Sequence, residues 1–412
     1  MSTTNVLLGI QGKAINPELV QEVEVKTGGY QAEYGRNTGG VVNVVTRQGG
    51  NEFHGSAFGY YDDAGMRASE KLEMTPDFSG EGDVALQNTF PENTRWDAGA
   101  SLGGYFVKDV LWFFGAYDKV KVDRTTEPLA GVNTGKEIPQ GFDTDLYSAK
   151  LTGRLGASTT LAATLFADPQ TNDGSMADVP LGVDPLSYEG VRELGGQDWA
   201  LRLTQILGNN GVATAQYYRH EDSYRIPGGV GYRSNNASTR DGAGASLSLF
   251  LGRHELKAGG DYQWEETSGT SYISGGQSLG IYPCLDKAGY RCDLSKAPVV
   301  DAAGGRMPVF YRHYYWVKNA TDLTPLTGGI PFESPSRSWS VFLQDEWKVL
   351  PNLVVNAGLR YDDQRVYWRT GNLAMDLKDQ WSPRVGVAWD FLPASPRGSP
   401  SPTPSGRSPG SR

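Results

Sequence analysis

The chain has 412 residues, room for more than one domain, with 38% hydrophobic residues and a formal net charge of -9. The acidic balance argues against nucleic acid as a partner, which needs a basic patch. No run of about 18 apolar residues could span a membrane as a helix. A transmembrane barrel, in contrast, hides its apolar surface in alternation and reads as polar on average, so it stays open.

Met1 to Gly12 has neither the basic n-region nor the apolar core of a signal peptide, so an exported reading places the natural N-terminus upstream. Val20, Val23 and Val25 mark a short strand, and Thr27-Gly28-Gly29 a turn. Glu33 and Arg36 put opposite charges three residues apart; taken alone, that is a surface ion pair worth about 0–1 kcal/mol. Gly39-Gly40 forms a second turn. Val41, Val42, Val44 and Val45 read as a buried strand, and Gly49-Gly50-Asn51 releases the chain.

From there on, period-two alternation dominates, the mark of strands with one apolar face. Trp96, Ala98, Ala100 and Leu102 alternate with Asp97, Gly99, Ser101 and Gly103. Tyr147, Ala149, Leu151 and Leu155 alternate with Ser148, Lys150, Thr152 and Arg154. Trp339, Val341, Leu343 and Trp347 are followed by Leu353, Val355, Ala357, Leu359 and Tyr361, then by Trp381, Val385, Val387 and Trp389. About twelve such segments of roughly ten residues occur, the length a tilted strand needs to cross a bilayer. Asp345 and Gln205 fall on the apolar side by strict counting, which calls for a bulge or a position near a rim.

The connections sort strictly. Short turns at 107–109, 156–158, 208–211, 252–253 and 350–352 alternate with long connections at 63–94, 124–143, 169–196, 226–238, 270–335 and 368–379. An up-and-down barrel with short periplasmic turns and long outer loops gives this order; a Greek-key sandwich does not. Cys284 and Cys292 share one long connection, which suggests a local disulfide, with two free thiols as the alternative. Tyr60, Tyr61, Tyr311, Tyr314, Tyr315 and Trp316 are candidate ligand contacts, or membrane-interface and loop-packing residues. After Phe391 the chain turns Pro-, Ser-, Gly- and Arg-rich without periodicity, so residues 393–412 read as a disordered tail or the product of a frameshift.

Residues 20–59, VQEVEVKTGGYQAEYGRNTGGVVNVVTRQGGNEFHGSAFG, closely resemble the end of the plug in TonB-dependent receptors, most of all the Oar-like subgroup. Phe342-Leu343-Gln344-Asp345-Glu346-Trp347, Gly358-Leu359-Arg360-Tyr361 and Trp381-Ser382-Pro383-Arg384-Val385-Gly386 are similar to barrel patterns of the same family. The resemblance implies an all-β fold: an incomplete transmembrane antiparallel barrel, about 12 of roughly 22 strands, around a short plug remnant. It assigns residues 1–50 to the plug end and 51–392 to the barrel. It also implies that Glu33, Arg36, Gly39 and Gly40 lock the plug against the wall. Implied partners are outer-membrane lipid, a TonB-type energy-coupling protein acting through plug residues upstream of Met1, and a ligand that could be an iron chelate, vitamin, sugar or peptide. The implied location is the outer membrane of a Gram-negative bacterium.

No enzyme, cofactor or metal is expected. His54, His220, His254 and His313 have no His or Cys companion at metal-ligand spacing. Glu265-Glu266 and Asp362-Asp363 read as solvated strand ends rather than an acid–base pair, because adjacent strand residues face opposite sides. Two competing readings are a plug-free porin or adhesin barrel, disfavoured by residues 20–50, and a soluble β-rich secreted enzyme, which would need paired carboxylates in a cleft.

Overall fold

The computed structural model describes residues 13–35, 40–68, 74–76, 83–85, 89–127, 135–175, 189–227, 232–273, 277–283, 309–315, 317, 321–324 and 329–391. Arg36, Gly39, Cys284, Cys292, Trp316 and the tail from 393 lie outside the described residues.

Among those described, the helical elements are single 3-10 turns at Pro17–Leu19 and Ala64–Met66. In chain order the strands are β1 (Val20–Lys26), β2 (Val41–Thr46), β3 (His54–Asp63), β4 (Met74–Pro76), β5 (Asp83–Ala85), β6 (Thr89–Val107) and β7 (Leu111–Glu127). Next come β8 (Ile138–Leu155), β9 (Thr159–Ala167), β10 (Gln170–Ser175), β11 (Glu189–Gly195), β12 (Gln197–Leu207), β13 (Gly211–Arg225) and β14 (Tyr232–Leu251). β15 (His254–Ile273), β16 (Gln277–Pro283), β17 (Val309–Tyr315), β18 (Ile330–Leu350), β19 (Leu353–Tyr367) and β20 (Leu373–Trp389) complete the series.

Three pairs, β1–β2, β4–β5 and β16–β17, form separate ribbons, and the rest make one antiparallel sheet of 14 segments running from β3 to β20. β9 and β10 lie end to end along β8, as do β11 and β12 along β13, so the 14 segments act as twelve strands of a meander. Twelve is the number the alternation predicts.

The sheet inverts the burial habit of a water-soluble protein. On β18, Leu343 is 59% exposed whereas Ser338 on the opposite face is 2% exposed. Leu151, Leu161, Leu165, Leu201, Leu203, Leu247, Val341, Leu359, Val385 and Val387 all lie exposed on the same outer side. Aromatic rings form a belt across that side, with centroids 5.2 Å apart for Trp199–Tyr217, 6.1 Å for Tyr217–Trp264, 5.1 Å for Trp339–Tyr361 and 4.8 Å for Tyr361–Trp381. Beyond the belt, toward the long connections, outward residues become ionic: Lys119 pairs with Asp143 and Asp145, and Arg219 with Glu221 and Asp241. Such an apolar band, bounded by aromatics and then by charge, matches the cross-section of a bilayer.

Two expectations need correction. The strands run further into the long connections than alternation suggests: β10 and β11 both lie within the stretch read as a loop at 169–196, and β16–β17 within 270–335. Gln170–Ser175 has no apolar side chain on either face, so the hydrogen-bond ladder continues after the pattern has gone. For the same reason Glu265 and Asp362 are interior to β15 and β19 rather than at strand ends, where they pair with Arg240 and Arg360. β2 is a strand as expected but not a buried one: Val42 and Val45 are exposed, because no described layer covers the β1–β2 ribbon.

The question raised by Asp345 and Gln205 is settled by register. Pairing runs unbroken through Asp345 to Leu256 and Ala357, and through Gln205 to Thr159 and Ala213, so there is no bulge at either. Both lie toward the short-turn rim. Asp345 meets His254 Nδ1 at 2.8 Å, and Thr159 Oγ1 donates to Gln205 Oε1 at 2.6 Å.

Candidate functional site

The described parts of the opening segment, residues 13–35 and 40–47, are fastened to the inner, polar face of the sheet at three places. The first holds the turn that carries Glu33. The turn after β1 carries Tyr30 to Gly35, and Ala32 is driven to 1% exposure against the wall. Gly358 makes this possible: a Cβ there would stand 2.8 Å from that of Ala32. Gly35 likewise abuts the guanidinium of Arg360, leaving no room for a side chain.

Arg360 on β19 is the hub of this contact. Its Nη1 donates to the carbonyls of Glu33 (3.1 Å) and Ala32 (3.5 Å). Its Nη2 donates to Ser340 Oγ (2.6 Å) and Asp261 Oδ2 (3.2 Å), and its Nε to Asp362 (2.9 Å). Glu33 binds Lys257 Nζ at 2.5 Å, and its amide donates to Gln344 Oε1 at 2.9 Å. Arg384 on β20 donates to the carbonyl of Gln31 at 2.6 Å and covers the Tyr30 ring at 5.2 Å. Four wall strands, β15, β18, β19 and β20, therefore grip one six-residue turn.

The second fastening holds Glu18 and Thr46. Glu18 accepts from Ser56 Oγ (2.6 Å) on β3 and Ser101 Oγ (3.0 Å) on β6, and pairs with Arg47 at 3.3 Å. The Ser56 hydroxyl holds its carboxyl below the ordinary glutamate value, with Ser101 and Arg47 reinforcing it against the opposing effect of burial. Lys150 on β8 donates to the Thr46 carbonyl at 3.1 Å. Leu19 seats between Phe114, Ala116 and Phe166 in a small apolar core.

The third fastening was not anticipated. Lys13, fully buried, pairs with Asp168 (3.0 Å) and Asp198 (3.6 Å). Asp198 in turn meets His220 Nδ1 at 2.6 Å, and neither residue has any exposed surface. The available signal was a pair of strand breakers, Asp168-Pro169 and Gly195-Gly196, inside what reads as one long connection.

Of the remaining candidates, Gly40 sits just before β2, where a Cβ would stand 3.0 Å from the Lys26 carbonyl. Tyr60 and Tyr61 are strand residues on β3 pointing to opposite faces; Tyr61 belongs to the outer belt, edge-on to Trp96 at 5.8 Å. Tyr311, Tyr314 and Tyr315 fall in β17, which pairs with β16 in a ribbon of its own.

Residues 45–182 and 193–378 match the family model described as outer membrane beta barrel domain. The TonB-dependent transporter Oar of Myxococcus xanthus is 26% identical, with 95% of this chain aligned to 44% of that protein. The ferrienterobactin receptor of Escherichia coli is 22% identical over 91% of this chain and 47% of its own length. The chain thus spans somewhat under half the length of these curated relatives. In fold it is similar to the ferripyoverdine receptor of the outer membrane of Pseudomonas aeruginosa, with TM-score 0.58, 14% identity, and 91% and 45% of the two chains covered. The outer membrane transporter YddB of Escherichia coli is similar at TM-score 0.56 and 15% identity, covering 95% and 48%.

Proposed function

The chain belongs to the outer membrane beta barrel domain family, and from that premise we propose that it forms the plug end and adjoining wall of a TonB-dependent receptor that takes up a large ligand. The sheet stands in the outer membrane with its apolar side in lipid and its polar side around a stoppered lumen. The relatives are transporters and receptors, which supports transport over catalysis.

One observation carries the proposal: the inner wall spends Arg360, Lys257, Gln344 and Arg384 on holding the turn at 30–35. A plug-free porin has no use for such a clamp. Preorganised donors aimed at backbone carbonyls hold the segment by its main chain, so the hold ends abruptly once the turn moves away by more than hydrogen-bond length. A pull on the plug from upstream, delivered by a TonB-type partner, would have to break these contacts or leave them as a fixed base.

The ligands to assay are iron chelates, vitamins, sugars and peptides. Uptake of a candidate ligand by cells making the protein, with and without the energising inner-membrane partner, tests the reading. Energised transport predicts that uptake stops without the partner while surface binding persists. Uptake that continues unchanged would favour a passive pore.

A further inference from the structure

The wall is interrupted in two facing strands at one level. β9 gives way to β10 at Asp168-Pro169, and β11 to β12 at Gly196. The backbone is bridged there: the Asp168 amide donates to the Gly196 carbonyl at 3.1 Å, and the Asp145 amide to the Pro169 carbonyl at 3.0 Å. The Asp168 carboxylate binds three donors from three directions. These are Lys13 Nζ at 3.0 Å, the Ala14 amide at 2.9 Å, and the Gly196 amide at 3.2 Å. Gly195 has φ of +92°, and a Cβ on Gly196 would collide with the Glu221 carbonyl and stand 2.9 Å from Lys13 Nζ. The bend in the wall and the seat for Lys13 are therefore the same structure.

We infer that Asp168 is a positioning residue that couples the opening segment to β10 and β11, the wall halves leading to the long-connection rim. A buried carboxylate that loses its ammonium partner must find another donor or draw in water. Asp198 is in the same position, because its Oδ2 has no hydrogen-bond donor and faces Lys13 across 3.6 Å. When Lys13 leaves, the Asp168 side chain is released from one of the two elements it joins, and the hinge at Gly195-Gly196 loses its filler. The order of β10 and β11 thus reports whether the opening segment is seated. The geometry carries this independently of what the protein transports.

Hydrogen exchange of the intact chain, folded in detergent micelles, tests it. Lys13→Met is expected to raise exchange of the amides of β10 and β11 by at least about tenfold, while the β18–β19 ladder stays protected. Asp168→Asn is a milder, isosteric variant with the same expected direction if Lys13→Met does not fold. Glu33→Gln, at the distant lock, should leave β10 and β11 unchanged. Faster exchange confined to residues 13–19 would overturn the coupling. Loosening of β10 and β11 by Glu33→Gln to the same degree would also overturn it, since the effect would then be general.

Discussion

Replacing Arg360 by leucine should free the turn at 30–35 without opening the wall. The segment would lose one good charge-assisted hydrogen bond, at 3.1 Å to the Glu33 carbonyl, and one marginal bond, at 3.5 Å to that of Ala32. A bond of the first kind contributes about 1.5–3 kcal/mol and the second little. Asp261 and Asp362 lose a partner too, but their side chains are 26% and 14% exposed and lumen water can reach them. Docking should therefore weaken by about 2 kcal/mol, roughly thirtyfold in the open fraction. Ala32→Cys, in a background with Cys284 and Cys292 changed to serine, supplies the assay. The thiol is shielded when docked and reacts with a maleimide only on opening, so Arg360→Leu should accelerate labelling about thirtyfold. An acceleration below about twofold, with the sheet intact by circular dichroism, would refute the assignment of Arg360 as the hub.

Other outcomes follow from the same contacts. Glu33→Gln removes the Lys257 ion pair, whose side chains are 22% and 23% exposed; labelling of the same cysteine should rise about fivefold, the pair being partly screened and worth about 1 kcal/mol. Gly358→Val should undock the turn by overpacking against Ala32 and Gln344, at a cost of about 1–3 kcal/mol seen in the same assay. Because the folded-state value of Glu18 is depressed, its contribution is present above the unfolded value and is lost as pH falls through the folded one. Exchange at residues 14–19 should stay low in mildly acidic buffer and rise only as pH falls below the ordinary glutamate value, and Ser56→Ala should shift that rise to higher pH. Leu343→Arg on the outer face should cost about 2–4 kcal/mol in denaturant unfolding from vesicles if the site lies at mid-bilayer.

Legibility of the fold followed the solvent on each side of the strand. Where one face meets lipid and the other polar lumen, as at Trp339 to Trp347, alternation is enforced and the strand can be read directly. Where the sequence does not alternate, as at Gln170–Ser175 and Glu189–Gly195, the strands pair through the backbone alone and read as loop. The lock was half legible. Glu33 could be singled out through resemblance, but its receptors Lys257, Gln344 and Arg360 lie more than 200 residues away, and nothing in the sequence pairs them with it. The Lys13 socket joins Lys13 to Asp168, 155 positions away, and to the still more distant Asp198 through ordinary-looking charges, and only the Pro and Gly breakers hinted at it. His220 read as structural for want of a companion, and the structure pairs it with a carboxylate on the neighbouring strand.

A nitroxide scan of residues 337–347 on β18, in lipid vesicles and without the native cysteines, bears most directly on which side faces the bilayer. Collision with oxygen, which concentrates in lipid, should peak at 339, 341 and 343 and drop at 338, 340 and 344, which are buried on the inner side. A uniform profile, or one in the opposite phase, would contradict the membrane-wall account.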